Sequence, residues 1–216
     1  MIFKNREDAA RKLTEKLEWL KNEDPIVLAI PRGGVVTGDI IAAELGAKLD
    51  IIVSRKVGAP DTPELAIGAV MHDGSYFPNE RITIMLSIPQ NYINQEIAVQ
   101  MKEIERRLIK FRGSKEYDLE DRTVVLVDDG VATGATMIVA AMWVKKQKPK
   151  KLIIALPVGP KDTINTLSEV ADKVVVLHSP YLFNAVGEFY QEFNQVDDYK
   201  VQEIMSKHGY KIQLLK

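Results

Sequence analysis

An α/β protein with a mostly parallel, twisted sheet and helices on both faces is the fold class that three observations in this sequence predict. Short apolar runs rich in β-branched residues, such as IVLAI (Ile26–Ile30), VVLV (124–127) and KVVVL (173–177), read as strands buried on both faces. Between most of them lie segments with apolar residues three and four apart, which read as helices. Strand alternating with helix is the order of parallel sheets, and open sheets of that kind bind ligands beyond the carboxyl ends of their strands.

The first helix is expected over Asn5–Asn22, with Asn5 as cap, Asp8 at the third helical position, and Leu13, Leu17 and Leu20 along one face. It reads as a packing element. Asp24-Pro25 breaks it, and the strand Ile26–Ile30 runs at once into Pro31-Arg32-Gly33-Gly34. A second helix is expected over Val35–Leu45, ended by Gly46 in the left-handed conformation. LDIIVSRK (Leu49–Lys56) reads as one buried strand with the cations Arg55 and Lys56 at its carboxyl end. GAPDTPE after it, with two prolines and a glycine, reads as an exposed loop.

Leu65–Met71 and Ser75–Asn79 are expected to form a hairpin about His72-Asp73-Gly74. The longest helical pattern runs from Pro89 to Arg112, amphipathic through Ile93, Ile97, Met101, Ile104, Leu108 and Phe111, and stops at Gly113. Past the strand at 124–127 come a helix through Met137, Ile138, Ala141 and Val144, a strand over Lys151–Val158, a short helix near Asp162–Val170 and the strand from Lys173. Phe183, Phe189, Tyr190 and Phe193 then precede a final amphipathic helix through Val201, Ile204 and Met205. Those aromatics have two readings: a lid over the sheet's carboxyl edge, or a small second core shared with the first helix.

The 216 residues suffice for one domain with a sizeable core, and the 46% hydrophobic content predicts a packed globule rather than disorder. With 29 basic and 30 acidic residues, the net charge of −1 argues against a general nucleic-acid or anionic-membrane surface. The one dense basic run, Lys145, Lys146, Lys148, Lys150 and Lys151, reads as a solvated helix end. Absence of cysteine excludes disulfides, thiolate catalysis and cysteine-ligated zinc. His72, His178 and His208 stand far apart without metal-binding spacing. No apolar run approaches a bilayer span and the amino terminus lacks the apolar core of a signal peptide, so the expectation is a cytoplasmic protein with no membrane or nucleic-acid partner.

The chemistry concentrates in VVLVDDGVATGAT, residues 124–136. A buried strand delivers Asp128 and Asp129 at its end, and a small, flexible turn then leads into a helix. The unpaired amides and dipole of that helix's first turn favour a phosphate, while the paired acids suit ribose hydroxyls or Mg²⁺ held through water. At Pro31–Gly34, adjacent glycines let backbone amides approach a polyphosphate, and Arg32 offers a planar donor fork.

Residues 124–136 resemble the phosphoribosyl pyrophosphate (PRPP) signature of type I phosphoribosyltransferases, PRGG resembles the pyrophosphate loop of that family, and Arg55-Lys56 the start of its mobile loop. PRGGV, RKVGAP, PELAIGAV, VDDGVATGAT and VGEFYQEFNQVDD extend the resemblance to predicted stand-alone phosphoribosyltransferases. It implies a single type I phosphoribosyltransferase-like domain over 1–216, with a core at about 23–178 and a hood from 1–22 and 179–216. It also implies a non-proline cis peptide beside Arg32 and a homodimer.

The implied activity is transfer of the 5-phosphoribosyl group from PRPP to a small-molecule nitrogenous acceptor, a nucleobase being the expected class, with Mg²⁺ as cofactor and release of pyrophosphate. The implied PRPP site comprises Arg32, Gly33, Gly34, Arg55, Lys56, Asp128, Asp129, Ala132, Thr133, Gly134, Ala135 and Thr136. Within it Asp128, Asp129, Arg32 and Lys56 carry catalysis, and the two acids face the metal. Ala132 stands where family members that use hypoxanthine and guanine place an aspartate, which argues against those acceptors. A PRPP- or nucleotide-binding regulator and an interaction module are the alternatives.

Overall fold

The computed structural model describes residues 1–212 of the chain, so the last four residues of the expected hood, Gln213–Lys216, lie outside the described residues. In chain order the elements are α1 (Arg6–Glu15), β1 (Ile26–Ala29), α2 (Gly33–Leu45), β2 (Lys48–Ile51), β3 (Ser54–Ala59), β4 (Thr62–Met71), β5 (Tyr76–Pro78), α3 (Glu80–Met85), α4 (Gln90–Phe111), β6 (Thr123–Val127), α5 (Ala135–Lys146), β7 (Lys151–Val158), α6 (Lys161–Val170), β8 (Lys173–His178) and α7 (Asp198–Lys207). The main sheet is all parallel, in the order β2-β1-β6-β7-β8.

Alternate residues of each strand feed opposite layers. Val27, Ala29, Val125, Val127, Ile153 and Ala155 join the core under α1, α2, α4 and α7. Ile26, Leu28, Val124, Leu126, Leu152 and Ile154 join the core under α5 and α6. Both faces are covered, which is why the strands read as continuous apolar runs.

The chain runs from β1 through α2 to β2 on one side, and from β6 through β7 to β8 on the other. The direction of winding therefore reverses between β1 and β6, which pair in register from Ile26↔Val124 to Ala29↔Val127. Such a reversal opens a crevice at the carboxyl ends of the two strands, because their onward connections depart to opposite faces. The loops Ile30–Arg32 and Asp128–Gly134 leave from that crevice.

Several expectations need correction. Leu49–Lys56 is not one strand: β2 ends at Ile51, Ile52 donates its amide to the Ala29 carbonyl, and from Ser54 the chain enters a second, antiparallel sheet, β3-β4-β5. Arg55 and Lys56 therefore lie inside β3 rather than at the carboxyl end of a core strand. GAPDTPE is exposed from Pro60 to Glu64 but is not a loop: Gly58 and Ala59 are buried in β3, Thr62 already starts β4, and only Pro60-Asp61 form the turn between them.

The first helix ends at Glu15. A 3₁₀ turn over Glu18–Leu20 follows and keeps Leu17 and Leu20 as fully buried as Leu13. Asn5 caps α1 by accepting the Asp8 amide at 3.0 Å, and Gly46, with φ of 65°, closes α2. The second helix begins two residues earlier than expected, which places both glycines of PRGG in its first turn.

The terminal segments meet above the carboxyl edge of the sheet. Phe3 pairs with Tyr190 as an isolated parallel bridge, and the aromatics stack among themselves, Phe183 on Phe189 and Tyr190 on Phe193 at centroid distances of 5.3 and 4.9 Å. With Ala9 and Val158 they build the small second core that was one of the two readings of this segment.

Candidate active site

Two loops reach the crevice from adjacent strands. From β1, the Pro31-Arg32 peptide is cis, at the position that the resemblance implied, and the chain turns directly into α2. From β6, Asp128 and Asp129 follow Val127. The carboxylates sit against the first turn of α2, in the space that side chains on its glycines would fill. A β-carbon on Gly33 would lie 1.9 Å from Asp129 Oδ2, and one on Gly34 would lie 2.8 Å from Asp128 Oδ1 and 2.9 Å from its Cα. The glycine pair is thus required by the acids themselves. No side chain caps the amino end of α2, so the acids complement its positive end.

Asp128 accepts the amide of Asp129 through Oδ1 at 2.8 Å. Burial, and after it the neighbouring Asp129 carboxylate, push the Asp128 carboxyl well above the ordinary aspartate range. Asp129 is held from the terminal segments: Arg6 Nε donates to Oδ2 at 2.7 Å and the Tyr190 hydroxyl donates to the Asp129 carbonyl at 2.6 Å. Burial, with the Asp129 charge second, pushes the Tyr190 phenol up, so it stays a donor at neutral pH.

The loop predicted to cradle phosphate leads into an uncapped helix start. Gly134 occupies the cap position with φ of 73° and offers no side chain, and the first helical rung is Ile138 N–H to the Gly134 carbonyl at 2.8 Å. The amides of Ala135 and Thr136 precede that rung, as the first amides of any helix do. Ala132 and Thr133 are exposed, while Ala135 and Thr136 are half-buried. Thr163 donates to the Ala132 carbonyl at 2.7 Å and Ser54 to the Thr136 carbonyl at 3.3 Å, so α6 and β3 brace the loop from both sides.

The remaining predicted residues are placed differently. Arg32 reaches Asp198 on α7 at 3.4 Å, and the same carboxylate takes Lys110 Nζ from α4 at 2.8 Å. A cleft of about 370 Å³ lined by Arg6, Arg32, Gly33, Phe193, Gln195 and Val196 opens beside this group. Arg55 turns to Gln100 of α4 at 2.9 Å, and Lys56 pairs with Glu64 at 2.5 Å across the hairpin. The structure therefore brings together Gly33, Gly34, Asp128 and Asp129, turns the Arg32 guanidinium beside them to Asp198, sets residues 132–136 on the loop and first turn that follow the acids, and engages Arg55 and Lys56 elsewhere.

Arg6 is the residue that sequence reasoning missed. The helix pattern held a signal for it, because Arg6 stands on the stripe of Ala9, Ala10 and Leu13, three, four and seven residues on, where a charged residue needs a buried partner. Among the described residues no group of three or more His, Cys, Asp or Glu could hold a metal. Two adjacent acids do fit Mg²⁺, which keeps several waters and binds through one or two carboxylates plus substrate phosphates.

Paired acids and an uncapped helix start stand at the switch point of a parallel sheet, the place where open α/β sheets bind ligands and where helix amino ends favour phosphate. Residues 1–187 match the family model described as phosphoribosyl transferase domain, and the chain belongs to that family. It is 37% identical over 207 residues to two proteins of Mycobacterium tuberculosis, "Putative phosphoribosyl transferase MT0597" and "Putative phosphoribosyl transferase Rv0571c". That match covers 95% of this chain and 47% of each relative, so the chain spans about half the length of the curated relatives it matches. Its fold is similar to the crystal structure of TT1426 from Thermus thermophilus, with a TM-score of 0.81, 38% identity, and 96% and 99% of the two chains covered.

Proposed function

We propose that this chain binds PRPP in the crevice between β1 and β6 and transfers its phosphoribosyl group to a nitrogenous acceptor, of which a nucleobase is the leading class. The observation that carries this reading is the convergence of the acid pair, the glycine-started helix α2 and the open amino end of α5 on one switch point. In this reading the amides of Ala132–Thr136, with the Thr133 and Thr136 hydroxyls, hold the 5′-phosphate. Asp128 and Asp129 accept from the ribose hydroxyls. Arg32 and the Gly33 and Gly34 amides take the pyrophosphate.

Asp128 and Asp129 would hold Mg²⁺, which when bound would neutralise part of the pyrophosphate charge. The carbon–oxygen bond at the anomeric carbon breaks toward pyrophosphate while the acceptor nitrogen attacks from the opposite face, so no protein nucleophile is needed. The chain's own contribution is positioning and electrostatic complementarity to the charges that develop. Arg55 and Lys56 join only after giving up Gln100 and Glu64, the partners they hold in this structure. The terminal segments would serve as hood over a core at 23–178.

The lysine run offers little to a nucleic-acid-binding regulator. Lys145 pairs with Asp172, Lys150 and Lys151 with Glu23, and Lys146 lies over the Phe77 ring. Incubation with Mg-PRPP and a panel of purines, pyrimidines and other amines, read by pyrophosphate release, tests the proposal. Release with any acceptor is the expected result, and saturable PRPP binding without release from any of them would make the chain a sensor.

A further inference from the structure

Asp129 has a partner that neither of the two ligand-binding loops supplies. Arg6 lies in the first turn of α1, where a charged residue ordinarily faces water, yet it is only 9% exposed. Its guanidinium is seated at three points: Nε on Asp129 Oδ2 at 2.7 Å, Nη1 on the Asn194 carbonyl at 2.7 Å, and its flat face 3.8 Å from the Phe193 ring centre. A β-carbon on Gly33 would come within 3.2 Å of Nε, so α2 also leaves room for it. The seat thus joins the amino-terminal helix, the acid loop, the glycine turn and the carboxyl-terminal segment.

A carboxylate with one oxygen committed to a buried guanidinium is fixed in rotation, which sets the direction of its other oxygen. Asn194 and Phe193 fix the guanidinium in turn, as outer partners fix a ligating side chain. Lysine cannot reproduce the seat, because it has neither the planar fork nor the stacking face.

We propose that Arg6 is a positioning residue that aims the Asp129 carboxylate at the ribose hydroxyls of the phosphoribosyl donor, and that Phe193 and Asn194 make the carboxyl-terminal segment part of that device. This rests on the reading of the crevice as the donor site. Arg6 touches no reacting atom. It acts through Asp129, and the closing of the two chain ends over the sheet is what puts it there.

The test is Mg-PRPP calorimetry on the full chain and on Arg6→Ala, Arg6→Lys and Phe193→Leu, each checked for folding by circular dichroism. Arg6→Ala is expected to weaken PRPP binding by about 10- to 100-fold, the range for removing an outer partner of a ligating group. Millimolar guanidinium ion should restore most of that loss, and methylammonium should restore less. Arg6→Lys and Phe193→Leu should fall between, and they carry the test if Arg6→Ala does not fold. Unchanged or tighter binding by the folded variants, or a loss that guanidinium does not repair, would overturn the inference. Absence of PRPP binding by the unaltered chain would instead remove the donor reading, and this inference with it.

Discussion

A β-carbon on Gly33 would stand 1.9 Å from Oδ2 of Asp129, closer than any non-bonded contact allows. The first turn of α2 and the acid loop therefore share one space, and only glycine lets both occupy it. Gly33→Ala should push Asp129 off Arg6, lower stability by roughly 1–3 kcal/mol, as overpacking of a filled site does, and weaken PRPP binding. Urea unfolding and calorimetry on the same preparation read both effects. An alanine variant with unaltered stability and affinity would mean that the acids do not depend on this turn.

Asp128 carries a pH signature. Its folded carboxyl is raised above its unfolded value by burial and by Asp129, so the cost of ionising it is absent at low pH and grows as pH rises from the unfolded toward the folded value. Asp128→Asn keeps an oxygen for the Asp129 amide and removes the charge. The variant should gain stability over the unaltered chain at pH 8, and the gain should shrink toward pH 4. Urea midpoints at the two pH values decide it, and a gain independent of pH would contradict the assigned cause.

Much of this was legible in the sequence because local signals and tertiary outcome agree. The β6 run, the helix from Pro89 and the Asn5 cap each have one physical solution, and the acid pair follows a strand long enough to fix where it ends. The break between β2 and β3 was not legible. LDIIVSRK contains no glycine or proline, and its division comes from long-range pairing, Ile52 with Ala29 and Ser54 with Met71, that no local pattern encodes. Arg55 and Lys56 were misplaced with it. Arg6 was passed over because a cation in a first helical turn usually faces solvent, and its partner lies 123 residues away.

Asp198 is the counter-ion that Arg32 and Lys110 share. Pyrophosphate taken by Arg32, as proposed, would have to compete with it. Asp198→Asn should tighten Mg-pyrophosphate binding by about two- to five-fold, the range that a part-exposed ion pair commands. Weaker binding in a folded variant would show that Asp198 orients Arg32 for the ligand rather than competing for it.

The Asp50–Arg112 pair separates stability from function. Arg112 meets both oxygens of Asp50 at 2.7 and 2.9 Å and lies 4.0 Å from the Tyr117 ring centre, with both charges buried. Asp50→Asn leaves the guanidinium without its charge partner and should cost roughly 3–5 kcal/mol. PRPP affinity of the remaining folded protein should not move, since neither residue adjoins the crevice loops. A selective loss of PRPP binding at unchanged stability would refute that separation.

The most direct measurement is a calorimetric titration of Mg-PRPP into the unaltered chain and into the double variant Asp128→Asn, Asp129→Asn. Saturable binding by the first and none by the folded second is the predicted result. Equal affinity in the two, or no binding by the unaltered chain, would contradict the assignment of this crevice as the donor site.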